Sequence, residues 1–243
     1  MRTRCQIAGF EVRRTTAAIA LRFLIRQWRH RRRTIVFFAN ANFVTQCGHL
    51  RQTIAESSDV ILLNDGLALD IAALLRSGSR FPENLNGTDF TPAFLSRLHR
   101  GARVFLLGGR PGVAQAAAEA IHGFSQVDIA GHAEGYSMWH DEAAVNRQIN
   151  EAKPDILLVA LGNPLQEEWI LRNRNSLQVP LILAVGSWFD FVSGYTPRAP
   201  QIWRRLRLEW AYRLMREPRR LTGRYTVGML KFFSMAIFSG DET

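Results

Sequence analysis

Short apolar runs alternate with amphipathic stretches along most of the chain. Thr34–Phe38 (TIVFF), Asp59–Leu63 (DVILL), Arg103–Leu107 (RVFLL), Asp155–Leu161 (DILLVAL) and Pro180–Val185 (PLILAV) read as strands buried on both faces. Val127–Ala130 is a weaker run of the same kind. Between them, segments near 43–55, 67–77, 88–100, 111–124, 141–152 and 164–173 are rich in Ala, Leu and Arg and read as helices. This alternation predicts an α/β fold: a mainly parallel sheet with helices on both faces. Ile7–Val12 reads as an additional strand, and Thr15 or Thr16 as the cap of a helix over about 16–30.

The pattern changes after Gly194. From Tyr195 onward no strand-like run occurs, and Ile202, Leu206, Trp210 and Leu214 recur every fourth residue on one side of a helix. Arg204, Arg205, Arg207, Arg213 and Arg216 fill other positions, and Pro218 should end or kink that helix. A second basic segment, Arg219–Tyr225, leads into the apolar Val227–Phe238. The expected organisation is an α/β domain over 1–195 and a helical, basic appendage over 196–243.

Charge sharpens this division. The 243 residues carry 31 Lys+Arg against 21 Asp+Glu, a net charge of +10. Residues 1–33 hold ten arginines and one acid, Glu11, whereas residues 34–197 hold eleven basic and sixteen acidic residues. Residues 198–231 again hold ten basic residues, against Glu209 and Glu217. Two basic ends thus flank a mildly acidic core. Such ends seek phosphate, in an anionic membrane surface or a phosphorylated ligand, and a diffuse nucleic-acid binder would not separate its charge this way. Only Lys153 and Lys231 are lysine, and Arg suits bidentate phosphate contacts. No apolar stretch of spanning length is present, so any membrane contact is expected to be peripheral. No signal peptide is expected, because no apolar segment directly follows the charged start. Cys5 and Cys47 form no disulfide framework, and the six His show no ligand spacing, so neither metal nor cofactor is expected.

Candidate chemistry sits where strands end, the usual ligand position in such sheets. Asn64-Asp65-Gly66 follows the second strand; Asp65 there is either a general base or, with Asn64, a helix cap. Gly108-Gly109-Arg110-Pro111-Gly112 opens a helix and is either a phosphate-binding turn or a plain turn with Pro at the first helical position. Gly162-Asn163-Pro164-Leu165-Gln166-Glu167-Glu168-Trp169 places Gln166 and Glu167 on a first helical turn, to bind a sugar hydroxyl or base edge or merely to complement the helix dipole. Gly186-Ser187-Trp188-Phe189-Asp190-Phe191 offers aromatics that either stack on a ligand or fill the core. There is no Asp-x-Asp pair for a metal-bound diphosphate.

Taken in order, NDG at 64–66, GTDF at 87–90, LLGG at 106–109, GNPLQEEW at 162–169 and the run from Arg198-Ala199-Pro200 through LEWAYR to EPRR and Arg224-Tyr225 resemble the WecG/TagA/CpsF glycosyltransferase family, over about residues 7–230. The resemblance implies a Rossmann-like, inverting, metal-independent bacterial enzyme. It would move a sugar from a UDP-sugar to a polyprenyl-diphosphate-linked acceptor at the cytoplasmic membrane face, with possible homo-oligomerisation. Asp65 corresponds to the family's proposed base, and Asn40, Asn64, Gly108, Gly109, Gln166, Glu167 and Gly186 to its pocket. Arg198, Arg213, Arg220 and Arg224 belong to the appendage, whose arginines are expected to reach the diphosphate. Two positions depart from the family pattern: Phe38 stands where Thr is common, and Asn84 where Arg is common. This looks like the β-1,4-glucosyltransferase branch of xanthan- and acetan-type exopolysaccharide assembly, with UDP-glucose as donor. Transfer of N-acetylmannosamine or mannosaminuronate is the alternative within the family. A non-catalytic membrane-surface protein or a nucleic-acid binder is the alternative outside it.

Overall fold

A computed structural model describes residues 3–135, 141–205 and 209–238, without the side chains of Arg204, Arg205, Arg220, Arg224 and Phe238. Eight strands form one sheet: β1 (Arg4–Ile7), β2 (Phe10–Arg13), β3 (Thr34–Ala39), β4 (Val60–Asn64), β5 (Arg103–Gly108), β6 (Asp128–Ala133), β7 (Ile156–Ala160) and β8 (Leu181–Ala184). Their order is β1-β2-β4-β3-β8-β7-β5-β6, parallel throughout except for the β1–β2 pair. The α/β expectation therefore holds.

Each buried strand feeds both faces, because successive side chains point opposite ways. In β3, Ile35, Phe37 and Ala39 join one core cluster while Val36 and Phe38 join the other. Helices α1 (Ala17–Arg29), α5 (Gly87–Leu95) and α6 (Val113–Ile121) cover the second cluster. Helices α2 (Ala41–Gln46), α3 (Arg51–Ala55), α4 (Leu67–Ser77), α7 (Glu142–Ala152) and α8 (Leu165–Asn173) cover the first.

Two expected elements differ from those observed. The single strand at 7–12 is a hairpin, because Ala8 and Gly9 take φ of +49° and +78° and turn the chain between β1 and β2. The helix expected near 43–55 is broken into α2, a 3₁₀ turn at Gly48–Leu50 and α3. Thr16 caps α1, its Oγ accepting from the Ile19 N–H at 3.4 Å.

Several arginines at the start of the chain are engaged within this fold. Arg14 donates to Ser77 Oγ at 2.5 Å and Ser79 O at 2.7 Å, tying β2 to the loop after α4. Arg4 pairs with Glu11 at 2.5 Å and Arg31 with Asp155 at 2.6 Å, while Arg33 donates to the carbonyls of Arg174 and Leu177.

After β8 come α9 (Trp188–Val192), α10 (Gln201–Arg205), α11 (Glu209–Arg216), α12 (Pro218–Tyr225) and α13 (Val227–Phe238). Leu206 and Arg207 lie outside the described residues. Pro218 occupies the first turn of α12, where its missing N–H costs nothing, so one helix stops and the next starts there. The appendage does not stand apart. Phe232 and Ala236 of α13 are fully buried in the first core cluster, and Arg76 of α4 donates to Ala236 O at 3.0 Å. No helix among the described residues is long and apolar enough to cross a membrane.

Replacing Phe232 by Ala should therefore lower the stability of the whole chain by about 3–5 kcal/mol, the usual cost of emptying a buried phenyl site. Urea denaturation checks this; a change below about 1 kcal/mol would mean that α13 packs independently of the sheet.

Candidate functional site at the sheet's switch point

After β3 the chain enters α2 on the face of the first core cluster, whereas after β8 it enters α9 on the face of the second. β3 and β8 stay paired as far as Phe37 and Ala184, but the segments that follow them leave on opposite faces, and a crevice opens above their carboxyl ends. A cleft of about 920 Å³ lies there. Its floor comes from the strand ends: Asn40 after β3, Asp65 after β4, Gly162 and Asn163 after β7, and Gly186 after β8. Its roof comes from the appendage, with Trp210 and Arg213 of α11, Tyr225 of α12 and Met229 and Phe233 of α13.

Asp65 is held from below. Its N–H donates to Ala39 O at 2.7 Å, continuing the sheet ladder, and its Oδ2 accepts from Asn40 Nδ2 at 3.1 Å. Asn40 in turn caps α2, its Oδ1 accepting from the Phe43 N–H at 3.0 Å. One side chain thus starts a helix and orients a carboxylate. The helix-cap reading of Asn64 and Asp65 fails. Gly66, at φ +94°, is the cap residue of α4, and no side-chain hydrogen bond caps that helix. The left-handed turn at Gly66 leaves Asp65 on the cleft wall instead.

Asn64 does not reach the cleft. It is fully buried, donates to Glu83 O at 2.8 Å and accepts at its own carbonyl from the Leu85 N–H at 3.0 Å. This fixes the 83–86 loop, so that Asn84 Oδ1 accepts from the Gly66 N–H at 2.7 Å and Asn84 and Asn86 line the cleft. Phe38 also lines it, edge-on to Phe90 at 5.7 Å, and a Cβ on Gly87 would lie 3.0 Å from its ring. Both departures from the family pattern therefore face the site.

Gln166 lines the cleft, while Glu167 lies behind it with no solvent exposure. Gln166 Oε1 accepts from the Gly186 N–H at 3.1 Å, bridging α8 to the turn after β8. Gly108 and Gly109 lie away from the cleft, since β5 is separated from β8 and β3 by β7. Their small size serves packing: Gly109 N donates to Ala160 O at 2.9 Å, and a Cβ on Gly108 would stand 2.3 Å from that oxygen. Pro111 precedes α6 rather than opening it, because Gly112 at φ +79° is the cap residue. Trp188 and Phe189 are buried, as the core reading of that motif expects.

Among the appendage arginines, Arg213 lines the cleft, paired with Glu209 at 3.0 Å and lying 4.6 Å over the Phe191 ring. Arg198 ties the linker to α5 through Asp89 at 2.5 Å, and Arg110 ties it through the Tyr195 hydroxyl at 2.5 Å. The side chains of Arg220 and Arg224 lie outside those described. Sequence reasoning missed Asn42, Thr45, Asn163 and Ser187 as cleft residues, whereas Asn84 lines it as the resemblance implied. Asn163 and Ser187 follow strands, and Asn42 and Thr45 lie on α2, whose only signal was its start at Asn40.

A mainly parallel sheet with a crevice at its switch point, roofed by a basic helical segment, is the build of the Rossmann-like α/β class. The family model for the WecG/TagA/CpsF glycosyl transferases matches residues 5–240, and the chain belongs to that family. It is a glycosyltransferase, acting with a sugar-nucleotide donor and a lipid-linked acceptor.

Gly108→Ala should lower the melting temperature, because its Cβ has no room beside Ala160 and φ of +127° is strained for Ala. Folded protein should keep its donor affinity; a selective loss of donor binding with unchanged stability would return this turn to the site.

Proposed function

We propose that the protein is an inverting, metal-independent hexosyltransferase of bacterial exopolysaccharide assembly, using UDP-glucose and a polyprenyl-diphosphate-linked glucose. The observation that carries this is Asp65, oriented by Asn40 at the floor of a cleft whose opposite wall presents Arg213. The acceptor hydroxyl oxygen attacks the anomeric carbon from the Asp65 side, and its proton passes to the Asp65 carboxylate. The bond from that carbon to the β-phosphate oxygen breaks, and UDP leaves with the electron pair. Attack and departure on opposite faces invert the anomeric centre. The leaving diphosphate gains charge, which cationic donors from the appendage stabilise. Arg213 is the described residue for that role, and Arg220 and Arg224 are proposed to share it.

The donor assignment rests on Phe38 and Asn84, which reshape the cleft relative to the common Thr and Arg of the family. Residues 196–243 are assigned to docking at the cytoplasmic face of the inner membrane. Exposed apolar side chains support this, Met215 at 70% and Leu230 at 74%, among the exposed Arg216, Arg219 and Lys231. Polar heads and apolar side chains together fit a headgroup boundary better than a nucleic-acid backbone.

Asp65→Asn should lower transfer about 10²–10⁴-fold, the usual contribution of a positioned base, with little change in stability. Full transfer by that variant would remove Asp65 from the base role. With membranes and lipid-linked glucose, labelled UDP-glucose should be the productive member of a UDP-sugar panel; transfer from UDP-N-acetylmannosamine instead would overturn the donor assignment. Arg213→Lys should weaken catalysis about tenfold or more, since an ammonium cannot form the forked contact.

A further inference from the structure

Glu167 is fully buried yet does not line the cleft. Its Oε1 accepts from Asn163 Nδ2 at 2.6 Å and from Gln166 Nε2 at 2.8 Å. Its Oε2 accepts the Cys47 thiol at 3.7 Å. The far end of each amide is also engaged. Gln166 Oε1 accepts from the Gly186 N–H at 3.1 Å, and Asn163 Oδ1 accepts from Asn42 Nδ2 at 3.2 Å. A continuous chain, Asn42–Asn163–Glu167–Gln166–Gly186, therefore runs from α2 to the turn after β8. All its members except Glu167 line the cleft.

The two ends of a carboxamide have nearly the same shape, so neighbours alone decide which end is oxygen. An ionised carboxylate only accepts, so it draws both NH₂ groups inward and leaves both oxygens to face the other way. Burying that charge without donors would cost several kcal/mol, and here three donors meet it. A group so placed is poorly suited to touch a ligand and well suited to hold those that do.

We propose that Glu167 is a positioning residue that fixes the amide orientation of Gln166 and Asn163, and so the hydrogen-bonding pattern the cleft presents to the sugar nucleotide. This rests on reading the cleft as the donor site. The assignment replaces the direct contact expected for Glu167 from its motif. Burial pushes the Glu167 carboxyl up to about 7, against the opposing amide and thiol hydrogen bonds. The titratable groups beside it are the Cys47 thiol, itself pushed up by burial, and Glu168, which pairs with His49 at 2.8 Å. Ionised Glu167 is the orienting form. Donor affinity should thus rise with pH through about 7, as the proton that competes for an amide's place is lost.

The test is calorimetric titration of the full chain with UDP-glucose between about pH 6 and pH 8.5, spanning the ionisation of a group near neutrality. In the unaltered protein the dissociation constant should fall several-fold across that range; a flat profile overturns the proposal without any variant. Glu167→Gln keeps the shape but turns an NH₂ against one of the two amides. It should weaken binding about tenfold, the scale of one misplaced buried hydrogen bond, and abolish the pH dependence. On a Gln166→Leu background the same change should cost less than in the unaltered protein, because only Asn163 of the two groups it orients is left. If Gln166→Leu weakens binding but Glu167→Gln leaves both affinity and pH profile intact, Glu167 has no positioning role and the cleft reading stands. If Gln166→Leu has no effect, or UDP-glucose does not bind the unaltered protein, the cleft reading falls and the proposal with it.

Discussion

The departure of the chain to opposite faces of the sheet after the paired strands β3 and β8 governs the rest of the structure. α2, which follows β3, packs into the first core cluster, and α9, which follows β8, packs into the second. The space above the carboxyl ends of these two strands is left to the appendage helices, which roof it. Polar groups that follow β3, β4, β7 and β8, namely Asn40, Asp65, Asn163 and the Gly186 amide, converge on one cleft while their strands stay in an apolar core. The same geometry explains the exclusion of Gly108 and Gly109. Their strand ends in the same direction, but on the far side of β7 and outside the lining of this cleft.

The second organising feature is the division of arginines by use. Several near the start of the chain tie the edge hairpin and the approach to β3 to their neighbours through carbonyls, serines and carboxylates. Exposed pairs of this kind add little stability each, so their role is chiefly to define where the hairpin and its loop sit. Those of the appendage anchor it at Asp89 and Phe191 and bring cationic character to the cleft. The appendage is at once part of the core, through Phe232, and the roof of the site. That dual packing ties the completeness of the cleft to the folding of the last helix. A membrane surface that engages the exposed side of the appendage would act on the same element that carries Arg213.

Much of this was legible in the sequence. Five strong apolar runs became five central strands with ends displaced by at most one residue, because a strand buried on both faces has few polar alternatives. The motif order pointed to the right family and, within it, to Asp65, Asn40, Gln166, Gly186 and Arg213 in one cleft. What misled was local chemistry with two equally good uses. Asn64 and Asp65 have the composition of a helix cap, yet the positive φ of Gly66 hands the capping position to glycine. Glu167 sits on a first helical turn like any dipole-complementing acid, but α8 is rotated so that Glu167 faces Cys47 rather than solvent. The hairpin at Ala8-Gly9 hid inside what reads as one strand, since a two-residue turn leaves almost no gap in an apolar pattern.

The sequence by itself determined the alternation of strand and helix, the residue types available at each strand end, and the separation of a mildly acidic core from an arginine-rich tail. These follow from periodicity and composition, which act over a few residues. Only the tertiary structure decided which strand ends lie together, which of two adjacent carboxamides and carboxylates meets the cleft, and that residues about 150 positions beyond Asp65 close over it. Those outcomes depend on sheet order and on helix rotation about its axis. Both are set by how buried side chains pack across the whole domain, and no local stretch of sequence encodes that.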